Sequence, residues 1–319
     1  MQSIPLPAEQ LRFLTKIAIM YHQDGLKQSE IAAKLHIAQA RVSRMLQQAE
    51  EVGIVRVTVT APLGINVELE RALERKYGMQ EVVVAQAFDD SLVTNTIGAS
   101  AASYLEATLI GNEHLGISSW STTLLAAVES MTPRAKQAAT EVIQLLGGVG
   151  VPAAQVRATR LASRLAELTG GEPHFLAAPG IVASSEARSA LMADAFVQSV
   201  AQSWDRLTTV SVGIGSLEPS KLLIESGNAI DEADKQTLRD LGAVGDVCLH
   251  YFDAAGKLIN SGLEDRILGI SAQTLRAVPR RVGIAGGAHK LAAIRAAMTG
   301  GWINVLITDS GVAQALLDD

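Results

Sequence analysis

Hydroxyl side chains, glycines and one lysine recur in four short segments, each of which follows an apolar run. Ser and Thr fill the segment 118–123, and glycines mark 147–150 and 213–216. A fourth segment, 286–290, combines two glycines with a histidine and a lysine. Hydroxyls, free backbone N–H groups and an ammonium together can hold a phosphate. The four segments predict a site for a small phosphorylated ligand, although each one alone is typical of a tight turn or a helix cap.

The apolar runs that precede these segments are short and suit buried strands. Seven such runs alternate with Ala- and Leu-rich helical patterns, at 81–85, 114–118, 141–146, 174–177, 208–215, 281–286 and 303–308. This alternation predicts an α/β domain, in which a doubly wound parallel sheet carries helices on both faces. Such sheets bind ligands at the carboxyl ends of their strands, so the four segments should meet at one edge.

One segment, GAVGDVCLHYFDAAGK at 242–257, interrupts the alternation. Asp246 lies between a glycine turn and an apolar strand, and DAAG at 253–256 predicts a hairpin turn. The Asp246 carboxylate could accept hydrogen bonds from sugar hydroxyls, or it could cap its own loop. Cys248 is predicted to be a small residue of the pocket or of the core.

Helical spacing predicts three helices in the first sixty residues. Only three residues, 36–38, separate the second helix from the third, and so short a link is typical of a helix-turn-helix motif. An ordinary three-helix bundle has the same periodicity and is the alternative. The residues expected to face inward are Leu11, Leu14, Ala18, Tyr21, Ile31, Ala32, Leu35, Val42, Met45, Leu46 and Ala49.

The outward face of the third helix carries side chains that can read DNA bases. Gln39 can address adenine, Arg44 can address guanine or phosphate, and Ser43 suits either base edge. The alternating run IVRVTVT at 54–60 predicts a half-buried strand, which would make the motif winged and place Arg56 near the DNA backbone. The predicted DNA contacts are Gln28, Gln39, Ala40, Arg41, Ser43, Arg44, Gln47 and Arg56.

Charge is distributed unevenly along the chain. The first sixty residues hold seven basic and five acidic residues, a balance of +2, which leaves −8 for the rest of a chain whose net charge is −6. Only the first segment could approach nucleic acid without long-range repulsion. We therefore predict a DNA-binding domain over 1–60 and a ligand-binding and oligomerisation domain over 61–319. Because +2 is modest, DNA binding should gain much from a homo-oligomer.

Several classes of protein are disfavoured by composition. No apolar run reaches the roughly 18 residues of a membrane span, and the N-terminus lacks the features of a secretory signal. Cys248 is the single cysteine, so no intrachain disulfide can form. We expect a cytoplasmic protein with no membrane partner. No His/Cys/Asp cluster has metal-ligand spacing, so neither a metal nor a cofactor is expected.

The sequence resembles the SorC family of bacterial transcriptional regulators, which is sometimes grouped with DeoR-type regulators. The resemblance extends over essentially the whole chain, and its most specific blocks are DGLKQSEIAAKL, ARVSRMLQQAEEVGIVRVTV, GGVG, VGIGS, GAVGDVCLHYFD and VGIAGGAHKLAAIRAAMTGGWINVLITD. It implies an N-terminal helix-turn-helix joined to a sugar-binding domain similar to glucosamine-6-phosphate deaminase and ribose-5-phosphate isomerase. It also implies a dimer or tetramer on operator DNA. A homotetrameric repressor is our working assignment, and an activator or a dimer stays open.

The resemblance further implies which residues contact a sugar or sugar-phosphate effector. They are Ser119, Ser121, Thr122, Thr123, Gly147, Gly148, Asp246, Cys248 and Lys290. Two positions depart from the family pattern. Ala38 stands where a Ser or Thr usually caps the recognition helix, and Trp120 comes one position later than in the usual loop order.

Two functions fit these patterns. The first is a regulator of a carbohydrate or polyol operon that responds to its ligand. The second is a sugar-phosphate isomerase or deaminase with an accessory N-terminal module. Catalysis of that kind needs a positioned base with a partner, yet the six histidines are scattered and only His289 lies in a candidate ligand segment. The regulator is therefore favoured, and no catalytic residue is predicted.

Overall fold

The computed structural model describes residues 6–56, 66–87, 92–133 and 136–319, and the chain divides into two compact units, Met1–Pro62 and Leu63–Asp319. The predicted domain boundary at 60/61 lies outside the described residues. The first unit contains α1 (Ala8–His22), α2 (Gln28–Leu35) and α3 (Gln39–Glu51).

The core of the first unit confirms most of the predicted inward face and corrects part of it. All four residues predicted for α3 are buried, as are Leu14 and Ala18 of α1. Leu11 and Tyr21, however, are 37% and 39% exposed, and Ile17 and Met20 are buried instead. Because α1 is apolar on most of its circumference, its periodicity alone could not fix which stripe packs against α3.

The link between α2 and α3 is tight because His36 adopts a left-handed conformation, with φ of 51°. The Ile37 N–H donates to the Ala32 carbonyl at 3.0 Å, which closes the end of α2. Ile37 itself packs against the core of the unit. This turn fixes the crossing of α2 and α3 and leaves the outer face of α3 free.

The start of α3 lacks a side-chain cap, as expected from Ala38 at the N-cap position. We predict that Ala38→Ser raises the free energy of unfolding of this unit by about 0.5–1 kcal/mol, because the hydroxyl can accept a free N–H of the first turn. Chemical denaturation measures the change. Ala38→Val is the control, because it enlarges this exposed side chain without adding an acceptor; an equal gain in the valine variant would contradict the capping explanation.

The predicted wing strand lies mostly outside the described residues. Ile54 and Val55 pack against the core of the first unit and Arg56 is exposed, but 57–60 are not described. The winged variant of the motif therefore stays a prediction.

A seven-stranded parallel sheet forms the centre of the second unit, as predicted. The strands of this sheet are β1 (Glu81–Ala85), β2 (Glu113–Ile117), β3 (Ala139–Gln144), β4 (Glu172–His174), β5 (Thr209–Val212), β8 (Arg280–Ile284) and β9 (Val305–Asp309). Their order across the sheet is β1-β9-β8-β5-β2-β3-β4. A separate antiparallel hairpin contains β6 (Ala243–Val247) and β7 (His250–Asp253).

Helices cover both faces of this sheet, which confirms the doubly wound architecture. The helices of this unit are α4 (Val67–Tyr77), α5 (Val93–Thr108), α6 (Thr122–Ser130), α7 (Pro152–Thr169), α8 (Ser185–Met192), α9 (Ala195–Ser203), α10 (Lys221–Ser226), α11 (Glu232–Asp240), α12 (Ala272–Ala277), α13 (Leu291–Thr299) and α14 (Ser310–Asp318). Apolar residues of α5, α6 and α7 pack against one face of the sheet, and those of α4, α9, α12, α13 and α14 pack against the other.

The order of the strands creates a switch point between β2 and β5. After β2 the chain adds β3 and β4 on one side, and then it returns to add β5, β8 and β9 on the other side. The connections that leave β2 and β5 therefore diverge, and a crevice forms beyond the carboxyl ends of these two strands. Ser118 and Gly213 are the first residues beyond those ends.

Helix α4 belongs to the second unit, where it protects an edge of the sheet. Its Glu70 and Glu74 carboxylates accept the N–H groups of Val84 and Val82 on the edge strand β1, at 2.9 and 3.1 Å. These side chains replace the missing neighbouring strand and satisfy N–H groups that an edge would otherwise expose. Tyr77 donates its hydroxyl to the Leu316 carbonyl at the end of α14. Helix α4 is thus the first helix of the sheet domain.

Candidate functional site

A cavity of about 410 Å³ lies at the switch point of the sheet. Three of the four predicted segments, those after β2, β5 and β8, line it, and the β6–β7 hairpin contributes a further wall. The cavity is large enough for a small sugar or sugar phosphate. All four segments follow neighbouring parallel strands and lie at the carboxyl edge of the sheet, as predicted, and three of them line the cavity.

Six of the nine predicted effector residues line this cavity, in positions set by different elements. They are Ser121, Thr122, Thr123, Asp246, Cys248 and Lys290. Ser121 is the N-cap of α6, and its hydroxyl accepts the N–H of Leu124 at 3.2 Å. The N–H groups of Thr122 and Thr123 therefore point out of the first turn, where the helix dipole favours an anion or a hydroxyl oxygen.

The other three predicted effector residues do not line the cavity, because protein atoms already occupy their surroundings. Ser119 is buried and donates its hydroxyl to the Leu146 carbonyl at 2.6 Å. A side chain at Gly147 would overlap the backbone of Pro179, and one at Gly148 would contact the Gln144 amide. These glycines serve close packing behind β3.

Asp246 stabilises its own turn, as one of the two predictions has it, and it also lines the cavity. Its Oδ2 accepts the N–H of Leu249 at 2.9 Å, and its backbone pairs with Gly215 at 2.9 and 3.1 Å. The turn that it caps consists of Cys248 and Leu249, both at positive φ (54° and 66°). Two consecutive non-glycine residues in this region are uncommon, so the Asp246 carboxylate supports a strained turn.

The predicted turn at DAAG, 253–256, is confirmed, because the chain reverses there and Phe252 pairs with Leu258 in antiparallel fashion. A first tight turn, which was not predicted, lies at 248–249 and joins β6 to β7. The sequence signal missed the first turn because neither Cys nor Leu is a usual residue for positive φ.

Burial sets the protonation of Asp246 and Lys290. Burial raises the pKa of Asp246 to about 6, although the Leu249 N–H and the charge of Lys290 oppose the rise. Burial also lowers the pKa of Lys290, while the Asp246 carboxylate opposes that change. The Lys290 ammonium donates to the Ile214 carbonyl at 2.9 Å. A ligand that hydrogen-bonds to both side chains would restore the solvation that they lose on folding.

Cys248 is a buried wall residue rather than a nucleophile. Burial raises the pKa of its thiol above the usual range, and the Asp246 charge adds to the rise. A thiol that stays protonated is poorly reactive.

Several lining residues were not among the predicted effector contacts, above all Ser118, Tyr251 and Thr94. Tyr251 comes from β7, which the sequence analysis treated only as an apolar strand. Its direct register partner is Asp246, so both side chains lie on the same face of the hairpin. Recognising the hairpin from the sequence would have revealed this pairing.

Trp120 forms part of the wall and is held by a hydrogen bond. Its indole N–H donates to the Gly147 carbonyl at 3.0 Å, and the ring is 7% exposed. The ring thus joins the segment after β2 to the segment after β3, and Gly147 contributes through its carbonyl to the position of a cavity residue.

The first unit carries a second candidate surface, on α3. Six of the predicted DNA contacts are exposed there, namely Gln39, Ala40, Arg41, Ser43, Arg44 and Gln47. Ala40, Arg44 and Gln47 lie directly opposite the buried stripe of the helix, because their spacings of four and three residues keep them on one face. Gln47 donates to Glu51 within the helix at 3.2 Å.

The two remaining predicted DNA contacts flank this surface. Gln28 is half-buried at the start of α2, and Arg56 is exposed after α3. Arg41 and Arg44 also line a shallow groove with Phe13 of α1. The exposed face thus offers amide, hydroxyl and guanidinium donors beside one small residue, a set suited to base edges and phosphates.

No group of three or more His, Cys, Asp or Glu residues in the described ranges of the chain is arranged to hold a metal ion. No helix in those ranges is both long and apolar enough to cross a membrane.

Comparison with known proteins gives the family. Residues 62–318 match the family model described as "Putative sugar-binding domain". The chain is 30% identical to the deoxyribonucleoside regulator of Bacillus subtilis over 98% of this chain and 99% of that protein. It is 27% identical to the sorbitol operon regulator of Klebsiella pneumoniae, over 97% and 99% of the two chains.

Solved structures agree with these relatives. The full-length sorbitol operon regulator SorC from Klebsiella pneumoniae superposes with a TM-score of 0.73 at 25% identity, over 97% of this chain and 100% of that chain. A DeoR family transcriptional regulator from Listeria monocytogenes gives a TM-score of 0.70 at 25% identity, over 78% and 98%. The relatives are transcriptional regulators and not enzymes. With its α/β sheet domain, its three-helix N-terminal unit and these full-length matches, the chain belongs to the SorC family of bacterial transcriptional regulators.

Proposed function

We propose that this regulator binds operator DNA through α3 and controls a carbohydrate or polyol operon in response to a sugar or sugar phosphate bound at the switch-point cavity. The observation that carries the proposal is the convergence of hydroxyls, helix N–H groups, a carboxylate and an ammonium in one cavity of about 410 Å³. Sugars offer both donors and acceptors in small volumes, which such a mixed lining satisfies.

The DNA part of the proposal is supported by the tight α2–α3 turn and the exposed face of α3. A modest local charge predicts weak binding by a single unit, so we propose a homo-oligomer, with a tetramer as the working state.

Effector binding would change how subunits pack and therefore the separation of paired recognition helices. Half-sites repeat at about one helical turn of DNA, so a small change in separation alters affinity. Such a protein would act in the cytoplasm, and repression is the working direction of control.

Selection from a random duplex library with the full-length protein tests the DNA part. We expect enrichment of paired half-sites, whose binding falls steeply as salt concentration rises. Recovery of no preferred duplex at low ionic strength would contradict the proposal.

The effector part predicts a phenotype for Lys290. Lys290→Met should lower effector affinity by about 10-fold or more, because it removes a charged donor from the cavity while keeping most of the apolar stem. DNA binding without effector should stay unchanged. Thermal shift against sugars, polyols and their phosphates measures the response. The control is Lys221→Met, which removes an 88% exposed lysine on α10; equal losses in both variants would exclude Lys290 from the site.

A further inference from the structure

Three of the hydroxyls that line the cavity already hydrogen-bond within the protein. Ser121 and Ser220 cap helices by accepting N–H groups of Leu124 and Leu223, and Ser216 donates to the Glu218 carbonyl. These groups hold the loops in place. Each of them has only part of its hydrogen-bonding capacity left for a ligand.

Three lining hydroxyls differ from these. Ser118, Thr123 and Tyr251 are 7%, 8% and 3% exposed, and none of them hydrogen-bonds through its hydroxyl to any residue in the described ranges. The hydroxyl oxygens of these three residues are open to the cavity, whereas the Thr308 hydroxyl is fully enclosed. Water satisfies such groups in an empty cavity, and the hydroxyls of a ligand can replace that water.

The position of Tyr251 narrows the chemistry of that ligand. It lies opposite Asp246 in the β6–β7 register, so a phenol and a carboxylate share one face of the hairpin. Burial and the Asp246 charge raise the pKa of Tyr251, so it stays a neutral donor and acceptor. An anion beside the carboxylate would be repelled, whereas a ligand hydroxyl can donate to Asp246 and accept from Tyr251.

We propose that Tyr251 determines effector specificity by binding hydroxyls of an uncharged polyol portion of the effector, together with Ser118 and Thr123 from the segment after β2. This inference rests on the proposed function and adds the orientation of the effector in the cavity. The hydroxyl-bearing part of the carbohydrate faces the β6–β7 hairpin, and any phosphate lies away from Asp246.

Tyr251→Phe tests the inference in the full-length protein. The probes are D-ribose, 2-deoxy-D-ribose, D-sorbitol, L-sorbose and their terminal phosphates, and calorimetry gives the Kd of each probe that raises the Tm of the wild type. For those probes we expect Tyr251→Phe to weaken binding by about 3- to 10-fold, the loss of one neutral hydrogen bond. The Tm without ligand should stay the same or rise, because the hydroxyl has no partner in the described protein to lose.

Thr308→Val is the matched control. The Thr308 hydroxyl is also buried and unpartnered among the described residues, but it lies on β9 and does not line the cavity. Its removal should leave every Kd unchanged. Ser118→Ala and Thr123→Val repeat the measurement from the β2 side if Tyr251→Phe fails to fold.

The outcomes separate this inference from the proposed function. A Kd within twofold of the wild type in a folded Tyr251→Phe overturns the specificity role and leaves the regulator intact. If no probe shifts the wild type, the carbohydrate effector itself fails, and this inference fails with it.

Discussion

Asp246→Asn should stabilise the ligand-free protein at pH 7.5 and at the same time weaken its response to effector. The pKa of Asp246 is raised to about 6 from the ordinary 3.8, and this difference corresponds to a folding penalty of about 3 kcal/mol when the carboxyl is ionised. An amide keeps the size of the side chain and can still accept the Leu249 N–H. It cannot carry the charge that is costly to bury.

The stabilisation expected for Asp246→Asn should increase as the pH rises. A raised pKa in the folded state means that the folded protein holds the proton more tightly than the unfolded chain does. The penalty is therefore absent below about pH 4, grows between about 4 and 6, and is complete above 6. Chemical denaturation at pH 4 and pH 7.5 should show the gain of Asp246→Asn only at the higher pH. The control is Asp205→Asn at an exposed position; a gain that does not depend on pH would contradict the burial argument.

Arg44→Ala should weaken operator binding by about 5- to 150-fold, the equivalent of about 1–3 kcal/mol for a base-reading arginine. Arg44 lies on the face of α3 opposite the buried stripe, where the side chain is exposed. Because the side chain takes no part in the core, the Tm and the effector response should be unchanged. Fluorescence anisotropy with the selected duplex measures the loss.

Arg12→Ala is the matched control for this variant. Arg12 belongs to α1, its side chain is 83% exposed, and its loss removes the same charge from the same unit. We expect it to lower affinity only slightly, through long-range electrostatics. Equal losses in both variants would mean that Arg44 contributes only charge, and that the outer face of α3 does not read bases.

The free-energy cost of burying the Asp246 carboxylate also shows why the type of a single residue does not predict its role in the site. A buried, partly protonated carboxyl that holds a strained turn destabilises the empty protein, and such a cost is typical of a group retained for binding. Sequence reasoning proposed a loop cap and a ligand contact as alternatives. The structure shows the cap, made by one carboxylate oxygen, and places Asp246 on the cavity wall, so the ligand contact stays a prediction.

The fold class, the parallel strands and the inward face of α3 could all be predicted from the sequence. These follow from local periodicity and from the alternation of strands with helices, which depend on near neighbours in the chain. The resemblance to the family implied six of the residues that line the cavity, and four of these (Ser121, Thr122, Thr123 and Lys290) lie in segments that follow strands of the parallel sheet. Tertiary structure alone decided that Ser119, Gly147 and Gly148 serve packing and that Tyr251 faces the cavity. Those outcomes depend on which strands become neighbours and on the register of one hairpin, and contacts between residues distant in sequence set both.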